Sequence, residues 1–196
     1  MKFGRTYSMR IQTDPELDSV VIGFPMTLEF QITRNTFASA NTARFTIYNL
    51  GEDTRRQVFH DRYDTFTYRQ VILQAGYESD NNTPLATIFQ GNVQSAYSYR
   101  RKENWTTVLD CFDGGFGIIN GQISMSVSPS QSTSQVIASL IQAMPNVAVG
   151  IVDVPDTQKA RGSSFFGNAW DIIRRLAGNN TAYIDNEKAN VVPQGT

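Results

Sequence analysis

A two-residue alternation of apolar and polar side chains, which runs through the first 120 residues, constrains the fold of this chain more than any other feature. In residues 27–33, Leu28, Phe30 and Ile32 lie on one side and polar residues on the other. This period predicts a half-buried antiparallel strand. Similar patterns predict further strands around residues 7–11, 43–48, 71–75, 86–99 and 105–112. Six such strands with little helix favour a closed or nearly closed β-barrel.

One short helix interrupts this pattern, and a glycine-rich run ends it. The helix is predicted from Gly51, because Glu52 and Asp53 in its first turn complement the helix dipole. Three glycines in residues 114–117 then break strand regularity. We therefore place a domain boundary near Asn120 and predict a barrel domain at 1–120 and a second domain at 121–196.

The second domain has the pattern of a small α/β unit. Ser132 and Gln135 form a capping box ahead of an apolar helical stripe that Pro145 ends. Asn168 caps a second helix, and a hairpin is expected around Asn186 and Glu187. The predicted order is β-α-β-α-β-β, with two helices packed on a small sheet, so the whole chain is assigned to the α+β class.

The charge balance and the low cysteine content exclude several classes of protein. Seventeen basic and eighteen acidic residues give a net charge of −1, which does not favour a nucleic-acid or membrane-surface binder and does permit self-association. A single cysteine indicates folding in a reducing compartment, so synthesis in the cytoplasm is expected. No apolar run approaches the ~20 residues of a membrane span, and we predict no membrane anchor.

Two residue types that often carry chemistry occur once each. His60 stands beside Asp61, as a general base can, but without a second histidine or an activated nucleophile we interpret it as part of the polar face at a helix end. Replacing it by alanine is expected to leave assembly nearly normal. Cys111 falls within a predicted strand and is interpreted as a small buried apolar residue.

Two further segments resemble binding motifs only superficially. Residues 113–121 lack the third glycine of a dinucleotide loop and the lysine of a P-loop, so a turn between domains is expected. Arg100, Arg101 and Lys102 lie near aromatic residues, as in single-strand binders, but a charged hairpin tip is the simpler interpretation. The sequence therefore predicts no catalytic, cofactor-binding or metal-binding residue.

A series of short motifs extends along nearly the whole chain. The first motif runs from Ser39 through Asn41 into residues 45–50 and continues to Thr54 and Arg55. The others, in order along the chain, are residues 75–78, 88–93, 105–114, 166–173 and 183–185. In this order the motifs resemble one family, the baseplate hub proteins of long-tailed, contractile-tail bacteriophages. Each motif is structural and individually weak, but their order makes coincidence an unsatisfactory explanation.

The resemblance implies a structural, non-enzymatic virion protein of the tail baseplate. It implies a homotrimer that joins the tail tube protein to the central spike protein, with baseplate wedge or tape-measure proteins as neighbours. It also implies that genomic DNA passes through the ring during ejection without specific binding. The channel wall is then expected to be polar and neutral or mildly acidic, and Glu29, Gln31 and Gln74 are of the type that could supply it.

Two other functions remain open at this point. A tail-tip hydrolase or cell-wall-binding module would require a cleft with paired acids or a zinc site. A tail tube or tube-terminating subunit would share the barrel but has no need of the second domain.

Overall fold

The computed structural model describes residues 4–13, 19–36, 40–77, 85–158 and 161–194. Within these ranges the chain forms twelve strands and four helices. The first part contains β1 (Arg5–Gln12), β2 (Ser19–Gly23), β3 (Leu28–Thr33), β4 (Thr42–Tyr48), α1 (Glu52–Val58), β5 (Gln70–Tyr77), β6 (Ala86–Arg101) and β7 (Asn104–Phe112). The second contains α2 (Gly115–Asn120), β8 (Gln122–Val127), α3 (Thr133–Gln142), β9 (Ala148–Val152), β10 (Ser163–Asn168), α4 (Ala169–Ala177), β11 (Thr181–Asp185) and β12 (Lys188–Val192).

The chain divides into two compact units. Unit 1 comprises residues 1–33 and 42–113, and unit 2 comprises residues 34–41 and 114–196. Residues 34–41, which connect β3 to β4 along the chain, thus belong to unit 2. There the buried Asn41 side chain donates to the Ile184 carbonyl oxygen at 2.9 Å and accepts from the Asn35 backbone N–H at 3.0 Å. Arg34 adds an ion pair with Asp185 at 3.3 Å.

Unit 1 is one seven-stranded antiparallel sheet in the order β2-β1-β5-β6-β7-β4-β3. The sheet curls around its own apolar side, so that Phe45 of β4 and Phe89 of β6 meet edge to face with ring centroids 5.7 Å apart. Both rings are essentially inaccessible to solvent. The inward residues predicted from the alternation, including Met9, Ile47 and Leu73, line this core.

The sheet is not closed, and the predicted barrel is not confirmed. Among the described residues β2 and β3 are the two outer strands, and no ladder joins them. The consequence is visible at Phe30, which pairs with the buried Phe45 and so shares its face, yet is 50% exposed. Alternation reveals which side of a strand is apolar, but it does not determine whether the first and last strands meet.

Gly91 marks a close backbone approach within β6. A β-carbon at this position would lie 2.5 Å from the Phe112 carbonyl oxygen of the neighbouring strand. Such a distance is well inside normal contact, so a larger residue would push β6 and β7 apart. The ladder between β6 and β7 also shifts register between Val93 and Ser95, which bends the long strand just beyond this glycine.

Unit 2 keeps the predicted helices and hairpin but has two sheets instead of one. The capping box is confirmed. The Ser132 side chain accepts a hydrogen bond from the Gln135 backbone N–H, and the Gln135 side chain accepts one from the Ser132 backbone N–H. Strands β11 and β12 form the predicted hairpin, and β9 adds to β12 in parallel. A separate pair, β8 and β10, was not predicted, because β10 combines two serines with Gly167 and lacks a clear apolar side.

Helix α2 occupies the glycine-rich run where the sequence predicts a turn. Gly114 adopts a left-handed conformation, with φ of 68°, just before the helix begins. Gly117 is buried, and a β-carbon there would lie 2.7 Å from the Pro145 carbonyl oxygen. Glycine is thus required for close packing against this helix, a role that the sequence pattern alone does not distinguish from a loop. None of the helices in the described ranges is long and apolar enough to cross a bilayer.

Candidate functional site

The outward side chains of β2, β1, β5 and the first half of β6 form a surface that we call the neutral face. The inward residues of these strands form buried rows, such as Ile22, Met9, Leu73 and Phe89. The alternate positions point outward, in two cross-strand rows, Val21–Arg10–Ile72–Gln90 and Gly23–Ser8–Gln74–Thr87, and in the pair Ser19–Gln12 beside them. Arg10 is the one charged residue among these ten positions, and most of the others are Gln, Ser or Thr.

The outward side chains of β3, β4, β7 and the second half of β6 form a second surface, the charged face. Two of its rows are Glu29–Thr46–Val108–Tyr97 and Gln31–Arg44–Asp110–Ser95. Arg44 Nε donates to Asp110 Oδ1 at 2.7 Å, across neighbouring strands. Tyr97 and Tyr99 stack along the same strand with ring centroids 6.3 Å apart.

A cavity of about 710 Å³ lies over part of the charged face. Its lining includes Arg44 and Asp110 of the sheet, and residues 59–62, which follow α1, form another part of it. Asp110 is held by Arg44, so this carboxylate already has a charged partner. The cavity therefore has a polar floor in which these two opposite charges are paired.

His60 lies just beyond the end of α1, as the sequence predicts, but its side chain is buried instead of forming part of a polar face. Its backbone forms two reciprocal hydrogen bonds with Ala96 of β6, each 3.0 Å long, and these hold the segment after α1 against the sheet. The side chain is only 4% exposed, and its Nε2 atom has no hydrogen-bond partner among the residues that the structure describes. Burial, reinforced by the positive charge of Arg69, lowers the pKa of this imidazole below its usual value of 6.5.

Cys111 is a buried strand residue, as the sequence predicts. It is 1% exposed and pairs with Ala43 on one side and Val93 on the other. Burial, followed by the nearby negative charge of Asp110, raises the pKa of the thiol well above its ordinary value. A thiol in this environment stays protonated and is a poor nucleophile.

The basic cluster lies at the tip of the β6–β7 hairpin, as predicted. Arg101 pairs with Asn104 across the turn, and Lys102 has a positive φ of 56°. Arg100 Nε donates to the Lys102 carbonyl oxygen at 3.2 Å, so part of its hydrogen-bonding capacity is used within the turn.

The structure separates the three residues that the sequence groups as possible channel residues. Gln74 lies on the neutral face, whereas Glu29 and Gln31 lie on the charged face. Alternation alone identifies all three as outward, but the cross-strand register is needed to assign each to a face. In the described ranges, no group of three or more His, Cys, Asp or Glu side chains is arranged to hold a metal ion.

A family model described as "Baseplate hub gp41" matches residues 8–192 of the 196-residue chain. The match covers β2 to β12 and all four helices, together with most of β1. The chain belongs to the baseplate hub gp41 family. The resemblance to phage baseplate hubs is thereby confirmed, and the role of this hub family is structural.

Solved structures of tail proteins share the fold of this hub chain. A 43 kDa tail protein of prophage MuSo2 from Shewanella oneidensis is 11% identical, with a TM-score of 0.64, and the match covers 96% of this chain and 53% of that one. A tail protein from Neisseria meningitidis MC58 is also 11% identical, with a TM-score of 0.59 and coverage of 96% and 50%. The hub chain thus spans about half the length of either tail protein.

A more distant structural relative comes from a complex. A chain of the Francisella PdpA–VgrG complex, in its half-lidded form, is 11% identical, with a TM-score of 0.58, and the match covers 100% of this chain and 32% of that one. Identities this low establish a shared fold and no more. Comparison with curated protein sequences gave no significant match.

Proposed function

We propose that the chain is a subunit of a homotrimeric baseplate hub that joins the tail tube to the central spike and encloses the channel for DNA. The observation that carries this proposal is the baseplate hub match over residues 8–192. The fold likeness to a chain of a VgrG complex supports a spike protein as one neighbour. Tail tube, wedge and tape-measure proteins are the other proposed partners, in a virion assembled in the host cytoplasm.

The open side of the unit 1 sheet is consistent with completion by assembly. Among the described residues, no strand pairs with the outer edge of β2 or of β3, and Phe30, on the apolar side of β3, is half exposed. Free edges of this kind pair readily with other strands. A neighbouring chain that covers Phe30 would complete the proposed barrel and remove an apolar side chain from water.

A structural role also accounts for the single histidine and the single cysteine. His60 is a buried residue of the segment that follows α1, and Cys111 is a protonated core thiol. We propose that neither residue is catalytic and that the chain uses no metal or cofactor.

Electron cryomicroscopy of the purified tail tests this proposal. The expected result is a ring of three copies between the tube and the spike, with a continuous axial channel. A chain that is missing from the tail tip, or that occurs there as a single peripheral copy, would contradict the hub function.

A further inference from the structure

We propose that the neutral face of unit 1 is the wall of the DNA channel, and that the charged face points away from the channel axis. This assignment rests on the proposed hub function and adds to it the surface that the DNA passes. The two faces belong to one curled sheet, so their side chains can be compared row by row.

The neutral face suits a moving polyanion because it offers almost no fixed positive charge. Proteins hold DNA largely through Lys and Arg, which displace counterions from the phosphates. Across the ten outward positions, Arg10 is the one such residue. In a trimer, three copies of Arg10 would give a salt slope of only about −2.7, against the six to ten phosphate contacts of a tight DNA binder.

The rest of the neutral face is polar without being ionic. In the row Gly23–Ser8–Gln74–Thr87, no side chain is charged. Such amides and hydroxyls keep a wall hydrated and make only weak, readily exchanged hydrogen bonds with phosphates. Thr87 of β6 is exposed and Val21 of β2 is 60% exposed, so the neutral face is open to solvent on both of its outermost strands.

The charged face differs in carrying charges of both signs and a less even surface. It presents Arg44, which is 61% exposed even though it pairs with Asp110. It also carries the stacked Tyr97 and Tyr99, and the cavity beside residues 59–62 makes this surface concave in places. These features suit a surface that contacts a fixed protein neighbour better than one that a duplex slides past.

Added positive charge tests the assignment, with a matched substitution on each face. Gln74→Lys changes the neutral face, and Gln31→Lys makes the same chemical change on the charged face. The rate of DNA ejection is measured from purified virions that carry either variant, at about 50 and about 200 mM salt. We expect Gln74→Lys to slow ejection at least about threefold at the lower salt and to approach the wild-type rate at the higher salt. Gln31→Lys is expected to match wild type at both salt concentrations.

Slowing by Gln31→Lys alone, or by neither variant, would overturn the face assignment. Should a variant fail to assemble, a reconstruction of the unmodified tail tip decides the same point: the Cα atom of Gln74 must lie closer to the channel axis than that of Gln31. The reverse order in a trimeric hub would refute the face assignment and leave the hub function intact. Absence of the chain from the ring would refute the hub function itself.

Discussion

The buried His60 makes the stability of this chain depend on pH in a predictable direction. Its imidazole has a lowered pKa in the folded state, because burial and Arg69 disfavour the charged form, although Asp61 and Asp64 act in the opposite direction. The unfolded chain binds a proton near pH 6.5, whereas the folded chain does so only at lower pH. The contribution of His60 to the free energy of unfolding is therefore fully present above pH 6.5, and it is lost as the pH falls toward the pKa of the folded state.

We expect the free energy of unfolding to decrease below pH 6.5 with a slope of at most about 1.4 kcal/mol per pH unit. Urea unfolding between pH 5.5 and 7.5 measures it. His60 is the one histidine in the sequence, so His60→Gln should remove most of this slope. A variant as pH-sensitive as the wild type would show that another group is responsible.

Cys111 provides a test of core packing in unit 1. Replacement by Ser puts a hydroxyl where the thiol is fully buried, between Ala43 and Val93, and should lower the free energy of unfolding by about 1–3 kcal/mol. Cys111→Ala is the control, because it removes volume without adding a polar group. If Ser is tolerated as well as Ala in denaturant unfolding, the hydroxyl has found a partner and the expectation fails.

At the level of elements, the capping box of α3 is the feature most directly tied to sequence. Ser132→Ala removes the acceptor for the Gln135 backbone N–H and should cost about 0.5–2 kcal/mol. Ser139→Ala on the same helix is the matched control, because this exposed hydroxyl only donates back to the Gln135 carbonyl oxygen at 3.0 Å. Loss of the hydroxyl there should be neutral or slightly stabilising. Equal destabilisation by the two changes in thermal unfolding would contradict the capping role.

The elements that sequence predicts well are those with a strong local signal. Strands β3, β4 and β7 have clear alternation, and α3 and α4 have capping residues and an apolar stripe. The missed elements have weak or misleading signals. Strand β2 is a five-residue outer strand, and the glycines that begin α2 resemble a loop. The two faces of unit 1 were also beyond prediction, because the β1–β5 pairing joins residues sixty or more positions apart.

For the whole molecule, the distribution of charge matters more than its total. A net charge of −1 suggests a uniformly balanced surface, yet unit 1 separates a nearly uncharged face from one that carries Glu29, Arg44 and Asp110. Composition gives no reason to expect a general affinity for nucleic acid. It does not indicate how the charged residues are divided between two parts of the same outer surface.

Unit 2 is built from two separate stretches of the chain, so we expect two fragments of this protein to associate without a covalent link. A break between Asp113 and Gly114 leaves residues 34–41 on the first fragment, although their partners in unit 2 are on the second. Asn41 and Arg34 would then hold the two fragments together through the Ile184 carbonyl oxygen and the Asp185 carboxylate.

Co-expressed fragments 1–113 and 114–196 should copurify, and Asn41→Ala should weaken their association about five- to a hundredfold. Gln31→Ala, an exposed change in unit 1, is the control in a pull-down titration. Equal binding by both variants would mean that the fragments reassociate without the help of this loop.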